Sequence, residues 1–429
     1  MMKKLFIAIL ILAFSHPAFA ANITEVTADN GVKGWLAEDH SLPIIVFSVT
    51  FKNAGAAYDP EKKQGLSTMA ASMLDEGAGD FDSLAFHKEL ENNAIRFGAE
   101  SDYDNFHITI KTLSKNRDKA LSLLRLALEK PRYDEDAILR MKNEITAIIK
   151  KREEEPTYLA EEKFHEVFFG KHPYAHKIYG DEKSIAGIDK ADLSSFGAKN
   201  FTRNRLIINA SGDLSAAEFK EILQKYFSLK PGEAIAEIPE FTGYPAKPIT
   251  EKIKMALPQS HAAFGMKGIK RDDADYYKAY ILNYIVGGGE FESRLMKEVR
   301  EKRGLAYSVS TYLEPYAHAG IFAGSISTRK EKISQSLNIV HDELKKIAKD
   351  GVTAAEVDAA KKHLLMSLVL SLDSNQSMAS FMDIMQVYNL GIDYLDKRNQ
   401  YLGAVTVKDV NIVARKILSG AATTVTVGE

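Results

Sequence analysis

Two stretches of this 429-residue chain, one near its middle and one at its end, close in the same way. Residues 188–213 read IDKADLSSFGAKNFTRNRLIINASGD, and residues 405–429 read VTVKDVNIVARKILSGAATTVTVGE. Each opens on a capping residue and an amphipathic helical pattern, passes a turn, and ends in a β-rich run with glycine. A repeat this far apart is not a solenoid, whose units are about 20–50 residues long. It implies duplication of a whole domain. The expected fold class is α+β, with two similar domains, each an antiparallel-rich sheet flanked by helices. The first domain is expected over residues 21–230 and the second over 251–429. Residues 231–250, rich in Pro and Gly and without periodicity, are expected to link them.

The local patterns fit alternating strands and helices. Leu42 to Phe51 (LPIIVFSVTF) is β-branched and aromatic, as in a half-buried strand. Leu66, Met69, Ala70, Met73 and Leu74 mark one helical face over Gln64 to Glu76. Asp104 to Thr112 alternates as a strand. Asp134 to Glu155 has the stripe of a long helix, with acids in its first turn and Pro156 to stop it. The 45% hydrophobic and 27% charged fractions are ordinary for a folded chain, which excludes extended disorder and collagen.

Charge and cysteine content remove further classes. Lys plus Arg is 56 against 58 Asp plus Glu, so no global field draws nucleic acid or anionic membrane. The run Lys150 to Glu155 (KKREEE) mixes signs and reads as a solvated helix end. There is no cysteine, hence no disulfide, thiolate zinc site or cysteine nucleophile. No Ser-His-Asp or G-x-S-x-G pattern stands out for a serine hydrolase. At the N-terminus, Lys3 and Lys4 precede an apolar run from Leu5 to Phe14 and the small residues Ala18-Phe19-Ala20. That is the layout of a secretory signal over residues 1–20, too short to span a bilayer comfortably. Export to the periplasm without a stable membrane anchor is expected.

Several segments together resemble the pitrilysin family, the inverted-motif zinc peptidases that include insulin-degrading enzyme and the mitochondrial processing peptidases. They are Asn30-Gly31-Val32, Ala54 to Asp59 (AGAAYD), Gln64-Gly65-Leu66, His172-Pro173-Tyr174, Asn283 to Leu295 (NYIVGGGEFESRL) and Arg300 to Tyr307 (REKRGLAY). The resemblance runs over nearly the whole chain beyond the signal and implies the same duplicated α+β fold.

Active members of that family carry H-x-x-E-H on a helix. Two His four residues apart share one helical face and one metal ion, and the Glu between them activates the metal-bound water. Aligned on Gly65-Leu66, this chain has Thr68 and Ser72 at the His positions and Ala71 at the Glu position. Glu144 matches the first of two later acids, and the third-ligand position falls on Lys151. Neutral hydroxyls, a methyl group and a cation do not make a zinc site. His172 and His176 are spaced i, i+4, but Pro173 argues against a regular helix, so they read as surface loop residues. No metal or other cofactor is expected in this chain.

In two-chain relatives one chain brings zinc and the other an Arg and a Tyr from its second domain. Arg300 and Tyr307 have the spacing of that pair. The resemblance therefore implies a non-catalytic subunit of a heteromeric periplasmic metallopeptidase. It would bind extended peptide and complete the site of a zinc-bearing homologous partner, where zinc is expected. The alternative is a non-enzymatic peptide-binding or assembly scaffold. Gly287-Gly288-Gly289 lacks the context of a phosphate loop. It is expected to let the backbone turn sharply and approach a neighbour or a bound peptide.

Overall fold

The computed structural model describes residues 22–234 and 237–428, so the signal-peptide reading lies outside the described residues. In chain order the first half holds β1 (Ile23–Thr27), β2 (Lys33–Glu38), β3 (Ile44–Phe51), α1 (Leu66–Ser72), β4 (Gly77–Ala78), β5 (Phe81–Asp82) and α2 (Ser83–Asn92). Next come β6 (Arg96–Ser101), β7 (Phe106–Leu113), α3 (Arg117–Glu129), α4 (Glu135–Glu153) and α5 (Pro156–Phe169). The half closes with α6 (Glu182–Gly187), α7 (Lys190–Asn200), β8 (Leu206–Gly212) and α8 (Ala216–Tyr226). The second half runs β9 (Ile249–Ile253), β10 (Gln259–Lys267), α9 (Tyr276–Asn283), β11 (Ala306–Pro315) and β12 (Gly320–Arg329). It ends with α10 (Ile333–Asp350), α11 (Ala354–Ser371), α12 (Asn375–Val387), α13 (Tyr394–Ala404), α14 (Val407–Leu418) and β13 (Thr423–Val427).

The two sheets repeat one topology. The first has the order β1-β2-β8-β3-β7-β6 and the second β9-β13-β10-β12-β11. In each, the strand that ends the half lies between a parallel neighbour (β2 or β9) and an antiparallel one (β3 or β10). The recurring sequence pattern thus becomes a central strand fed by a helix, α7 into β8 and α14 into β13. Both helices start on a capping box, at Asp189 and Thr406. β6 and β11 are the corresponding edges.

Each sheet has one face covered by helices of its own half. Across the other face lies a helix from the opposite half: α12 on β3 and β8, and α5 on β10 and β13. Two side-chain bonds seat α12: the Gln386 amide donates to Asn209 Oδ1, and Ser211 Oγ to Asn375 Oδ1 at 3.1 Å. Phe164, Phe168 and Phe169 of α5 join Tyr174, Phe241 and Ala263 in a cluster that straddles the halves. Each buried aromatic contributes about 2–3 kcal/mol. α5 sits so close to β10 that a Cβ on Gly265 would come within 2.6 Å of the Phe164 ring.

Several local expectations are corrected. Pro156 ends one helix but also starts the next, because a missing N–H costs nothing at a first helical turn. The backbone leaves the helix at Ser72, although apolar spacing continues through Leu74. His176 is buried rather than on the surface, 3.1 Å from both Ala56 O and Glu61 Oε2. The stretch around it is a 3-10 turn, Pro173–Ala175, which folds back into the seam. Phe241 in the linker is buried there too, its N–H bonded to His318 O at 2.9 Å.

Polar contacts lock the halves. Tyr174 OH donates to Asp104 Oδ1 at 2.6 Å and accepts from His318 N at 3.0 Å, while Asp104 Oδ2 accepts from Ala317 N at 3.0 Å. The β11–β12 turn is thereby clamped to the first half. His107 lies 3.2 Å from Asp102 and 3.4 Å from Asp383 of α12. Burial alone would lower its pKa, but the bonds to the two carboxylates outweigh burial and push it up to about 10. Its charge then stabilises the fold fully below about pH 6.5, and that contribution is lost as pH rises through 10. His107→Gln is expected to lower the melting temperature by several degrees near neutral pH and to flatten the decline toward pH 10. Melting curves across that range check it; an unaltered slope would show that His107 carries no charge in the fold.

Candidate functional site

The helix α1 begins where Gly65 takes a left-handed conformation at φ 87°, close against Tyr179. A Cβ there would lie 2.7 Å from the Tyr179 carbonyl, so glycine is required. The buried carboxylate of Asp59 accepts from Gly65 N at 3.0 Å, Ser67 N at 3.0 Å and Ser67 Oγ at 3.1 Å. These bonds satisfy the free N–H groups of the first turn. The helix is therefore rigidly placed beside the edge strand β6, with Ser101 Oγ donating to Ser67 Oγ at 3.2 Å.

Thr68 and Ser72 share a face of this helix, but their hydroxyls are already engaged. Thr68 Oγ1 donates to Ile178 O at 2.6 Å and Ser72 Oγ to Thr68 O at 3.1 Å. Ala71 is buried and offers no base. Glu144 and Lys151 are exposed on α4, and no hydrogen bond or ion pair ties Lys151 to Thr68 or Ser72 among the described residues. The cation that turns inward is Arg152, its guanidinium 3.9 Å from the Tyr179 ring centre. The donor set does not fit zinc: two neutral hydroxyls serve as hydrogen-bond donors, and Ala71 between them offers only a methyl group.

One turn further on, Asp75, Glu76 and His87 hold ligand-type atoms within 4.8 Å of one another. Glu76 is already taken by Arg140 and by Ser83, whose hydroxyl donates at 2.6 Å. Burial, and less strongly the neighbouring Glu76, raise the Asp75 pKa against the pull of His87.

In the second half, α9 passes into π-helical turns at Tyr284–Gly288 and Met296–Glu301. Gly287 is buried against the edge strand β11, whereas Gly288 is exposed and Gly289 packs on Tyr284. Arg300 lies on the second π turn rather than on a regular charged helix. Its backbone carbonyl accepts from Gly304 N at 2.8 Å and so fixes the turn into β11. Neighbouring cations are paired: Lys302 and Arg303 with Glu298, Arg294 with Glu356. Arg300 is exposed and has no acidic partner among the described residues, only the face of Phe291 at 4.9 Å. Tyr307 is 57% exposed, at the point where the β11–β12 register slips between Ala306 and Ser308. Arg300 is exposed on the π-helical turn before β11 and Tyr307 is exposed as the second residue of β11, while Thr68, Ala71 and Ser72 stand beside β6 in the other half.

Comparisons with known proteins agree with this architecture. Residues 46–182 match the family described as insulinase (peptidase family M16), and residues 187–364 match the peptidase M16 inactive domain. The crystal structure of a peptidase M16 inactive domain from Pseudomonas fluorescens is 31% identical, with TM-score 0.88, covering 95% of this chain and 98% of that one. A relative named non-peptidase homolog YmxG, from Helicobacter pylori, is 28% identical over 371 residues, covering 85% of this chain and 84% of its own. The periplasmic protease PqqL from Escherichia coli shares the fold at 16% identity and TM-score 0.79, covering 95% of this chain and 46% of that one.

Gly287 gives a direct test of the local packing. A Cβ there would meet Thr311 N and Thr311 Oγ1, each at 2.6 Å. Gly287→Ala is expected to destabilise the fold by about 1–3 kcal/mol through overpacking. Denaturant titration measures this; stability equal to the parent would mean that the strand does not need the close approach.

Proposed function

The chain belongs to peptidase family M16, and on that footing we propose that it is the non-catalytic subunit of an exported, heteromeric M16 metallopeptidase. The observation that carries the reading is an asymmetry between corresponding edges. Beside β6 stand two engaged hydroxyls and a methyl group, which cannot hold a metal or serve as a base. At and beside β11 stand Tyr307 and Arg300, exposed and, among the described residues, free of acidic partners. Hydrolysis must then be supplied by a zinc-bearing homologous chain, and this chain adds binding groups.

The chemistry of the pair suits an extended peptide. The Arg300 guanidinium is always charged and donates to a peptide carbonyl without a proton balance to maintain. The Tyr307 phenol donates to an oxygen on which negative charge develops. Strand addition to an open sheet edge supplies backbone hydrogen bonds that ignore side-chain identity. Of the glycines 287–289, the exposed Gly288 leaves its surface free of a side chain, while Gly287 packs against the strand. The basic, apolar and small residues at the N-terminus support periplasmic location, as does the described location of the Escherichia coli neighbour.

A second reading is a non-enzymatic peptide-binding or assembly scaffold, favoured by the name of the Helicobacter relative. Reconstitution separates the two. The purified chain alone is expected to cleave no peptide and to retain no stoichiometric zinc, and to raise peptide turnover when mixed with a zinc-bearing M16 homologue. Arg300→Ala or Tyr307→Phe is expected to depress turnover of the mixture on the order of 100-fold, as for loss of one oxyanion donor. Unchanged turnover with both variants would leave only the scaffold.

A further inference from the structure

Between the halves lies a half-open cavity of about 600 Å³, bounded by the ends of β3 and β7, the β11–β12 turn and the C-terminal end of α12. That size suits a small organic molecule. Its wall combines apolar groups, among them Leu313, Ile384 and Tyr388, with charges of both signs. It lies at the opposite end of β11 from Tyr307.

One charge on this wall is out of balance. Arg271 is only 9% exposed, yet no carboxylate lies within ion-pair distance of it among the described residues. Its guanidinium rests on the Tyr276 ring at 4.0 Å and donates through Nη2 to Tyr394 OH at 2.8 Å and, more weakly, to Tyr277 OH at 3.4 Å. Nε and Nη1 donate to nothing in the described chain. Arginines this deeply buried are normally paired with an acid. The acids on the same wall have other partners: exposed Asp102 and buried Asp383 pair with His107, Asp104 accepts from Tyr174 OH and Ala317 N, and Glu314 accepts from Tyr316 OH. Asp272 is exposed. Lys52, also on the wall, has no ion-pair partner among the described residues, and Lys270 is held by Glu240.

We propose that this cavity is a binding site for an organic carboxylate with an apolar body, whose anionic end pairs with Arg271. A planar carboxylate matches the guanidinium fork, and the apolar wall accepts the rest of the ligand. A phosphate dianion fits less well, because Asp102, Asp104, Asp272, Glu314 and Asp383 share the wall. The carboxylate comes either from a free small acid or from the C-terminus of a peptide.

Calorimetric titration of the isolated mature chain tests the site. Phenylacetate is expected to bind at least about tenfold more tightly than its neutral isostere phenylacetamide, a difference of about 1.4 kcal/mol, and inorganic phosphate is expected to bind no better than the amide. A pentapeptide ending in a free-acid Phe, titrated beside its C-terminal amide, assigns the source. Tighter binding of the free-acid peptide than of phenylacetate points to a peptide C-terminus, and binding of phenylacetate alone points to a small acid. Arg271→Gln is expected to abolish the preference for the charged probe. Should that variant fail to fold, Lys52→Glu, at the half-exposed wall, is expected to weaken phenylacetate by threefold or more. Equal affinity for phenylacetate and its amide, no binding of either, or full affinity in the variants would overturn the proposal. No partner chain enters the experiment, so its failure leaves the subunit reading standing, and the reverse also holds.

Discussion

The fold depends on an exchange of helices between its halves. A sheet packed on one side only would leave its second face in water, and here each second face is covered by the other half's helix. α12 brings Met378, Met382 and Met385 onto Trp35 and Ala37, and α5 brings three phenylalanines onto the second sheet. Because the exchange is reciprocal, separating the halves would expose both sheets at once. The seam is thus a core, and its polar members must be satisfied within it. Asp104, Tyr174 and the backbone of the β11–β12 turn meet that demand, as does His107 between two carboxylates.

The same constraint explains where chemistry can reside. Central strands and exchanged helices are committed to packing, which leaves the open edges β6 and β11 with the helical segments beside them. Duplication presents that arrangement twice. In the first half the adjoining helix is capped by Asp59 and closed by internal hydrogen bonds at Thr68 and Ser72. In the second it dissolves into π-helical turns, which recur at functional sites because they re-aim side chains. Arg300 is presented from that irregular segment and Tyr307 from the start of β11, and the cavity with Arg271 lies at the far end of the same strand.

Much of this was legible in the residues. The repeated helix-to-strand ending announced the duplication because capping boxes and β-branched runs are local signals. The strand at Ile44–Phe51 and the helix at Glu135–Glu153 fell close to where hydrophobic spacing put them. Thr68, Ala71 and Ser72 were singled out by the family resemblance at Gly65-Leu66, and all three lie on the helix Leu66–Ser72. The stacking of Arg152 on a tyrosine, the burial of His176 and the want of an ion-pair partner for Arg271 among the described residues were not legible. Each depends on a partner far along the chain: Tyr179, Ala56 and Tyr394.

By itself, the sequence determined the duplicated α+β halves, the sign balance and the chemical poverty of the helix at Leu66. Those properties belong to residue types and short-range periodicity, which need no knowledge of neighbours. Only the tertiary structure decided which helix covers which sheet, which edges stay open, and that the buried Arg271 guanidinium has no ion pair among the described residues. Burial and pairing are set by segments brought together from distant parts of the chain, and hydrophobic spacing shows that a face must be covered without saying by what.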